Sequence, residues 1–93
     1  MHVDKLYVVT RTDLEPGQRA VQACHAATQF QVDFPGEAQG WYERSNTIAL
    51  LEVPSQTHLE RLAWEAKQQG VKVALFREPD RSDELTAIAL EPG

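Results

Sequence analysis

Lys5–Arg11, KLYVVTR, is the stretch that most restricts how this chain can fold. It is rich in β-branched and aromatic residues, as strands are. Alternation sends Leu6, Val8 and Thr10 to one side and Tyr7 and Val9 to the other. Both sides are largely apolar, so the strand is expected to be central and covered on both faces. A sheet that needs two covering layers demands helices elsewhere in the chain.

The remaining sequence supplies them. Thr12–Gly17, TDLEPG, is a break, because Pro16 disfavours helical geometry at Glu15 and lacks an amide proton. A helix is predicted over Gln18–Phe30, capped by Asp13 or Gly17. Ala20, Val21, Cys24, Ala27 and Thr28 recur at spacings of three and four and are expected to be its buried face, with close helix-to-sheet approach. Pro35 and Gly36 end it, and Glu37–Arg44 reads as a short helix anchored by Trp41 and Tyr42. Asn46–Val53 reads as a second buried strand stopped by Pro54. Thr57–Gly70 is the clearest helix, with Thr57 and Glu60 at capping-box spacing, an inward stripe of Leu59, Leu62, Ala63 and Ala66, and Gly70 as its stop. Strands are expected at Lys72–Arg77 and Leu85–Leu90, joined by the polar turn Glu78–Glu84.

Strands alternating with helices argue for a largely parallel α/β sheet. The last connection is far shorter than the dozen or more residues a parallel crossover needs, so the fourth strand must run antiparallel to the third. With right-handed crossovers the expectation is a three-layer α/β/α sandwich on a mixed four-stranded sheet. Its 93 residues make one domain, spanning 1–93.

Composition narrows the functional classes. Net charge is −5, so global charge makes no case for nucleic-acid binding, although a local basic rim can serve an acidic domain. The one cysteine cannot form an internal disulfide, which suits a reducing cytoplasm. No apolar run reaches the roughly 18 residues of a membrane span. Met1-His2-Val3-Asp4-Lys5 does not read as a signal peptide, because an acidic residue precedes a run too short for the apolar segment. Nothing in the sequence marks a self-association surface, although small α/β domains often form homodimers.

In open α/β sheets, ligands collect at the carboxyl ends of the parallel strands. Two loops are expected there, Arg11–Arg19 and Arg77–Asp83. They offer Arg11, Asp13, Gln18, Arg19, Glu78, Asp80 and Arg81. This mixture suits hydrolysis: a carboxylate positions water, and an arginine or helix N-terminus binds an anion. The common alternative is a solvated polar rim. Cys24 and His25 are adjacent and point about 100° apart on a helix, so they do not make a nucleophile pair. Cys24 reads as core, and His25 as a hydrogen-bonded structural histidine. His2, His25 and His58 lack metal-ligand spacing, so neither metal nor cofactor is expected.

Three segments together carry a family resemblance: RTDL (Arg11–Leu14), QACHAAT (Gln22–Thr28) and EPDRSDELTAIAL (Glu78–Leu90). The chain resembles the type-2 peptidyl-tRNA hydrolase superfamily over nearly its whole length, most of all the divergent peptidyl-tRNA hydrolase domain-containing branch. The resemblance implies the same mixed four-stranded fold. It also implies metal-free hydrolysis of the ester between a peptide and the tRNA 3′ end, with tRNA or peptidyl-tRNA as partner. It assigns site roles to Arg11, Asp13, Gln22, His25, Glu78 and Thr86. Two positions depart from the family pattern. Its Gly-Lys-Gly-Lys run is here Pro16-Gly17-Gln18-Arg19, and its Asp-Ala-Gly-Arg-Thr loop is Glu78-Pro79-Asp80-Arg81-Ser82. The expected division of labour follows. Glu78 or Asp80 orients water, Arg19 and the first helix N-terminus hold phosphate or oxyanion, and Gln22, His25 and Thr86 shape the site. Two rival readings are a non-enzymatic module binding RNA or protein through the same fold, and a hydrolase of small esters or phosphates.

Overall fold

β1 (Lys5–Arg11) lies inside the sheet, as its two apolar faces require. A computed structural model describes residues 2–93. The other elements are α1 (Pro16–Asp33), α2 (Pro35–Arg44), β2 (Thr47–Val53), α3 (Gln56–Gln68), β3 (Val73–Glu78), a 3₁₀ turn over Pro79–Arg81, and β4 (Glu84–Leu90). The strand order is β2-β1-β4-β3. β1 and β2 are parallel, and β4 runs antiparallel to both β1 and β3. The mixed sheet and the antiparallel last strand are as expected.

The two faces of β1 seed two cores. Leu6 and Val8 pack with Ala26 and Phe30 of α1 and with Ala38 and Trp41 of α2. Val9 packs with Leu59 and Ala63 of α3 and with Leu85 and Ile88 of β4. Helices on both sides therefore make the expected three layers. Phe30 and Leu59 are fully buried, and each contributes about 1.5–3 kcal/mol by leaving water. These anchors fix how α1 and α3 sit over the sheet.

Several local expectations are corrected. α1 begins at Pro16, whose missing amide proton costs nothing in a first turn. Glu15 precedes it without a side-chain cap, and the expected cap Asp13 is bound to Arg11 instead. The buried face of α1 is Gln22, Ala26 and Phe30, with Ala23 and Ala27 packed beside it. Ala20, Val21, Cys24 and Thr28 are exposed, so Cys24 is not core. The helix turns to bury Phe30, and residues four apart lie on one stripe, which brings Gln22 inward. α3 starts at Gln56 and is capped by Ser55, which accepts a hydrogen bond from the His58 amide at 3.4 Å; Thr57 lies within its first turn. Gly70 ends that segment with φ of +80°, a conformation that suits glycine.

β2 is not a buried strand. It forms one edge of the sheet, with Ile48 52%, Leu50 57% and Leu51 47% exposed. α1 packs over β1, β3 and β4, and so leaves that edge open. In α2, Trp41 is the anchor, buried and donating from Nε1 to the Thr47 carbonyl at 2.7 Å. Tyr42 is 61% exposed and so is not a buried anchor.

Candidate active site

The carboxyl ends of β1 and β3 lie at the start of α1, and an open cleft of about 730 Å³ forms there. Glu15, Gly17, Gln18, Val21, Gln22, His25, Glu78, Asp80 and Arg81 line it. Its central group is the Glu78 carboxylate. Glu78 closes β3, and the chain then turns sharply through Pro79–Arg81. Ser82 and Asp83 take left-handed backbone angles, and the Asp83 amide returns to the Glu78 carbonyl at 3.0 Å. Glu78 is thereby held at the lip of the sheet.

Its side chain is held from below. A bulge between Phe76 and Arg77 pairs Phe76 with Ala87 and Arg77 with Leu85, leaving Thr86 as the extra residue of β4. Bulges re-aim side chains, and this one turns the buried Thr86 hydroxyl toward α1. Thr86 Oγ1 donates to Gln22 Oε1 at 2.6 Å. Gln22 Nε2 donates to Glu78 Oε2 at 2.9 Å. The other oxygen, Oε1, accepts the Asp80 backbone amide at 3.3 Å. Gln22 is 2% exposed, so its amide is fixed by these partners and not by water. The hydrogen bond from Gln22, then that from the Asp80 amide, holds the Glu78 carboxyl below the usual carboxylate range. Each favours the charged form. His25 lies stacked on Phe76, with ring centroids 4.6 Å apart, and lines the cleft.

The residues expected at the site divide into two groups. Gln18, Gln22, His25, Glu78, Asp80 and Arg81 meet in the cleft, with Thr86 beneath Gln22. Arg11, Asp13 and Arg19 do not line it. Arg11 is 6% exposed and enclosed in a knot. Its Nε and Nη2 each donate to Asp13 at 2.9 Å. Its Nη1 donates to Glu84 at 2.7 Å and to the Leu85 carbonyl at 3.1 Å. The Asp13 hydrogen bond above all pushes the guanidinium pKa up, and Arg11 in turn holds the Asp13 and Glu84 carboxyls down. Arg19 donates from Nε to the Leu14 carbonyl at 2.8 Å and from Nη1 to Glu52 at 3.3 Å. Its guanidinium is thus tied to the β2 side of the helix, and Arg81 is the arginine of the cleft. Gly17 belongs to the helix start that the sequence marked for an anion, and it lines the cleft. Sequence reasoning missed Glu15 and Val21 as individual site residues. The Glu-Pro-Gly start of α1 was the available signal for Glu15, because a helix opening at Pro16 brings its neighbours to the sheet end.

Among the described residues, no three His, Cys, Asp or Glu side chains converge as a metal ion would require. No helix among them is long and apolar enough to cross a membrane. The arrangement defines an α/β domain with an ionised carboxylate, an uncapped helix start and an arginine around one cleft. The family model for peptidyl-tRNA hydrolase PTH2 matches residues 4–93, and the chain belongs to that family. At the family level this makes it a peptidyl-tRNA hydrolase-like protein.

Proposed function

We propose that this protein hydrolyses the ester of peptidyl-tRNA in the cleft between the start of α1 and the β3–β4 turn. The observation that carries the reading is the buried relay Thr86–Gln22–Glu78, which presents an ionised carboxylate to an open cavity. A carboxylate held below its usual range is a weak base but a dependable acceptor. Glu78 therefore orients water and stabilises the charge that develops on it as it attacks the ester carbonyl. The attacking water loses its proton to Glu78 or Asp80, and that acid returns it to the tRNA 3′ oxygen as the acyl C–O bond breaks. The developing oxyanion faces the start of α1, where no side chain caps the first-turn amides near Gly17 and Gln18, and Arg81 adds a positive charge. Arg81 takes the part that the sequence suggested for Arg19.

The test is release of peptide from an N-blocked aminoacyl-tRNA by the purified protein. We expect turnover, and a loss of about 10²–10⁴-fold in the Glu78→Ala, Asp80→Ala double variant. Turnover that survives unchanged in that variant removes the catalytic assignment. An inactive wild-type protein that still binds tRNA or a protein partner establishes the alternative, a binding module of the same fold.

A further inference from the structure

The cleft sets three carboxylates, Glu15, Glu78 and Asp80, against one arginine, Arg81. That balance suits an ester and its water, and it repels a polyanion. A substrate that carries RNA needs a grip elsewhere. We propose that the RNA strand is held on the opposite face of β3, by Trp64, Lys67 and Arg77. The inference rests on the peptidyl-tRNA reading above.

The surface arises from the same strand as the cleft. Successive strand residues point to opposite faces. Glu78 turns toward α1, where Gln22 binds it. Arg77 emerges on the α3 side, where it lines a shallow cavity of about 160 Å³ with Glu60, Trp64 and Lys67. β3 is an edge strand, with β4 on one side only. A chain leaving the cleft past Arg81 can therefore round the carboxyl end of β3 and meet Arg77 next. One nitrogen of Arg77 is already fixed, donating to the Asp83 carbonyl at 3.4 Å.

Trp64 is the unusual member. α3 buries Leu59 and Ala63, yet leaves Trp64 63% exposed on its flank. Lys67 follows three residues later on the same flank, one helical turn away. An exposed indole that shares one cavity with two cations matches the pattern that binds single-stranded nucleic acid, with a base stacked on the ring and phosphates on the charges. Glu60 is the one carboxylate lining this cavity, so the patch remains positive by one charge on a chain whose net charge is −5. An RNA strand satisfies both the ring and the charge, whereas an apolar protein surface would leave Lys67 and Arg77 without partners.

Intrinsic fluorescence gives a direct readout, because the only other tryptophan, Trp41, is buried. The probes are a single-stranded RNA with the sequence of a tRNA 3′ end, and whole deacylated tRNA. We expect both to quench Trp64 saturably. Trp64→Ala should weaken binding about tenfold, and Trp64→Phe should restore much of it, since a phenyl ring also stacks. The Lys67→Gln, Arg77→Gln double variant should lower the slope of log affinity against log salt by about 1.4, from two lost phosphate contacts on a single strand. Glu60→Gln should bind more tightly. On peptidyl-tRNA, Trp64→Ala should raise KM with little change in kcat. Thermal melts of each variant report folding separately. RNA that leaves Trp64 unquenched, or a KM that Trp64→Ala does not move in an active enzyme, overturns the inference. Quenching by RNA in a protein without hydrolytic turnover supports this surface and sinks the hydrolase reading instead.

Discussion

The carboxyls of Asp13 and Glu84 in the Arg11 knot and that of Glu78 in the cleft are all held below the usual carboxylate range, but by different means. In the knot, Asp13 and Glu84 share the Arg11 guanidinium, so each carboxylate is paired with a cation where it stands. In the cleft, Glu78 is held by the Gln22 amide and the Asp80 backbone, which are neutral donors. Its negative charge therefore remains, exposed to whatever enters. A carboxylate paired with a buried cation belongs to the fold, and one ordered by dipoles remains available for chemistry. The two clusters touch through Glu84, which also lies 3.7 Å from Arg81 Nε. The knot thus helps to set where the cleft's own arginine stands.

The most disruptive way to break this comparison is Arg11→Met. It leaves the Leu85 carbonyl without its buried donor and frees two carboxylates that had faced a cation. Removing one member of a buried pair costs about 3–5 kcal/mol. Asp13 and Glu84 can turn to water here, so we expect about 2–3 kcal/mol, or a fall in Tm of roughly 10–20 °C for a domain of this size. The pH dependence has a definite sign. Asp13 and Glu84 have folded pKa values below their unfolded ones. Their contribution is fully present above the ordinary carboxylate range and is lost as pH falls through the depressed folded values. Tm should therefore drop in acid for the wild type and change less for Arg11→Met. Parallel acid limbs for the two proteins would show that the knot does not carry this dependence.

Gln22→Leu sharpens the other half. It removes the neutral donor without adding or removing charge, so Glu78 loses the largest influence holding its pKa down. The acid limb of kcat/KM should move to higher pH, toward that of an ordinary glutamate, and kcat should fall about tenfold through loss of orientation. Thr86→Val, which loses only the hydroxyl donating to Gln22, should shift the limb less, in the same direction. A merely structural role for Gln22 predicts lower Tm with an unmoved pH profile. That outcome would detach the relay from catalysis.

What could be read from the sequence follows the reach of the interactions. The two apolar faces of β1, the inward stripe of α3 and the short β3–β4 link are local patterns, and each led to the observed arrangement. The burial of Gln22 depends on Thr86, 64 positions away, and a polar residue gives no local sign of facing inward. The exposure of Ile48 and Leu50 depends on where α1 comes to rest, since an apolar edge strand and an apolar central strand read alike. Arg19 was drawn toward the site by its place at a helix start. It is held away by Glu52 on β2, a neighbour created only by the β1–β2 pairing. The site residues that met in the cleft are those on the Glu78 turn and on one stripe of α1.

The smallest effect belongs to the flank of α1 that sequence spacing assigned to the core. Cys24 lies there beside Ala20, Ala23 and Ala27, facing Ile48 and Leu50 across an apolar groove of about 310 Å³. It is exposed, so Cys24→Ser removes little packing and leaves no buried hydroxyl to satisfy. We expect a stability change within about 0.5 kcal/mol, as for surface substitutions generally. The thiol of the native protein should react with a disulfide reagent without prior unfolding, because reaction needs access to the sulfur. A core position would instead cost more than 1 kcal/mol and protect the thiol until the protein opens. If native Cys24 is protected and Cys24→Ser is costly, α1 is turned about its axis relative to the sheet. The same turn would carry Gln22 away from Thr86 and Glu78, so this mild substitution tests the helix orientation on which the cleft depends.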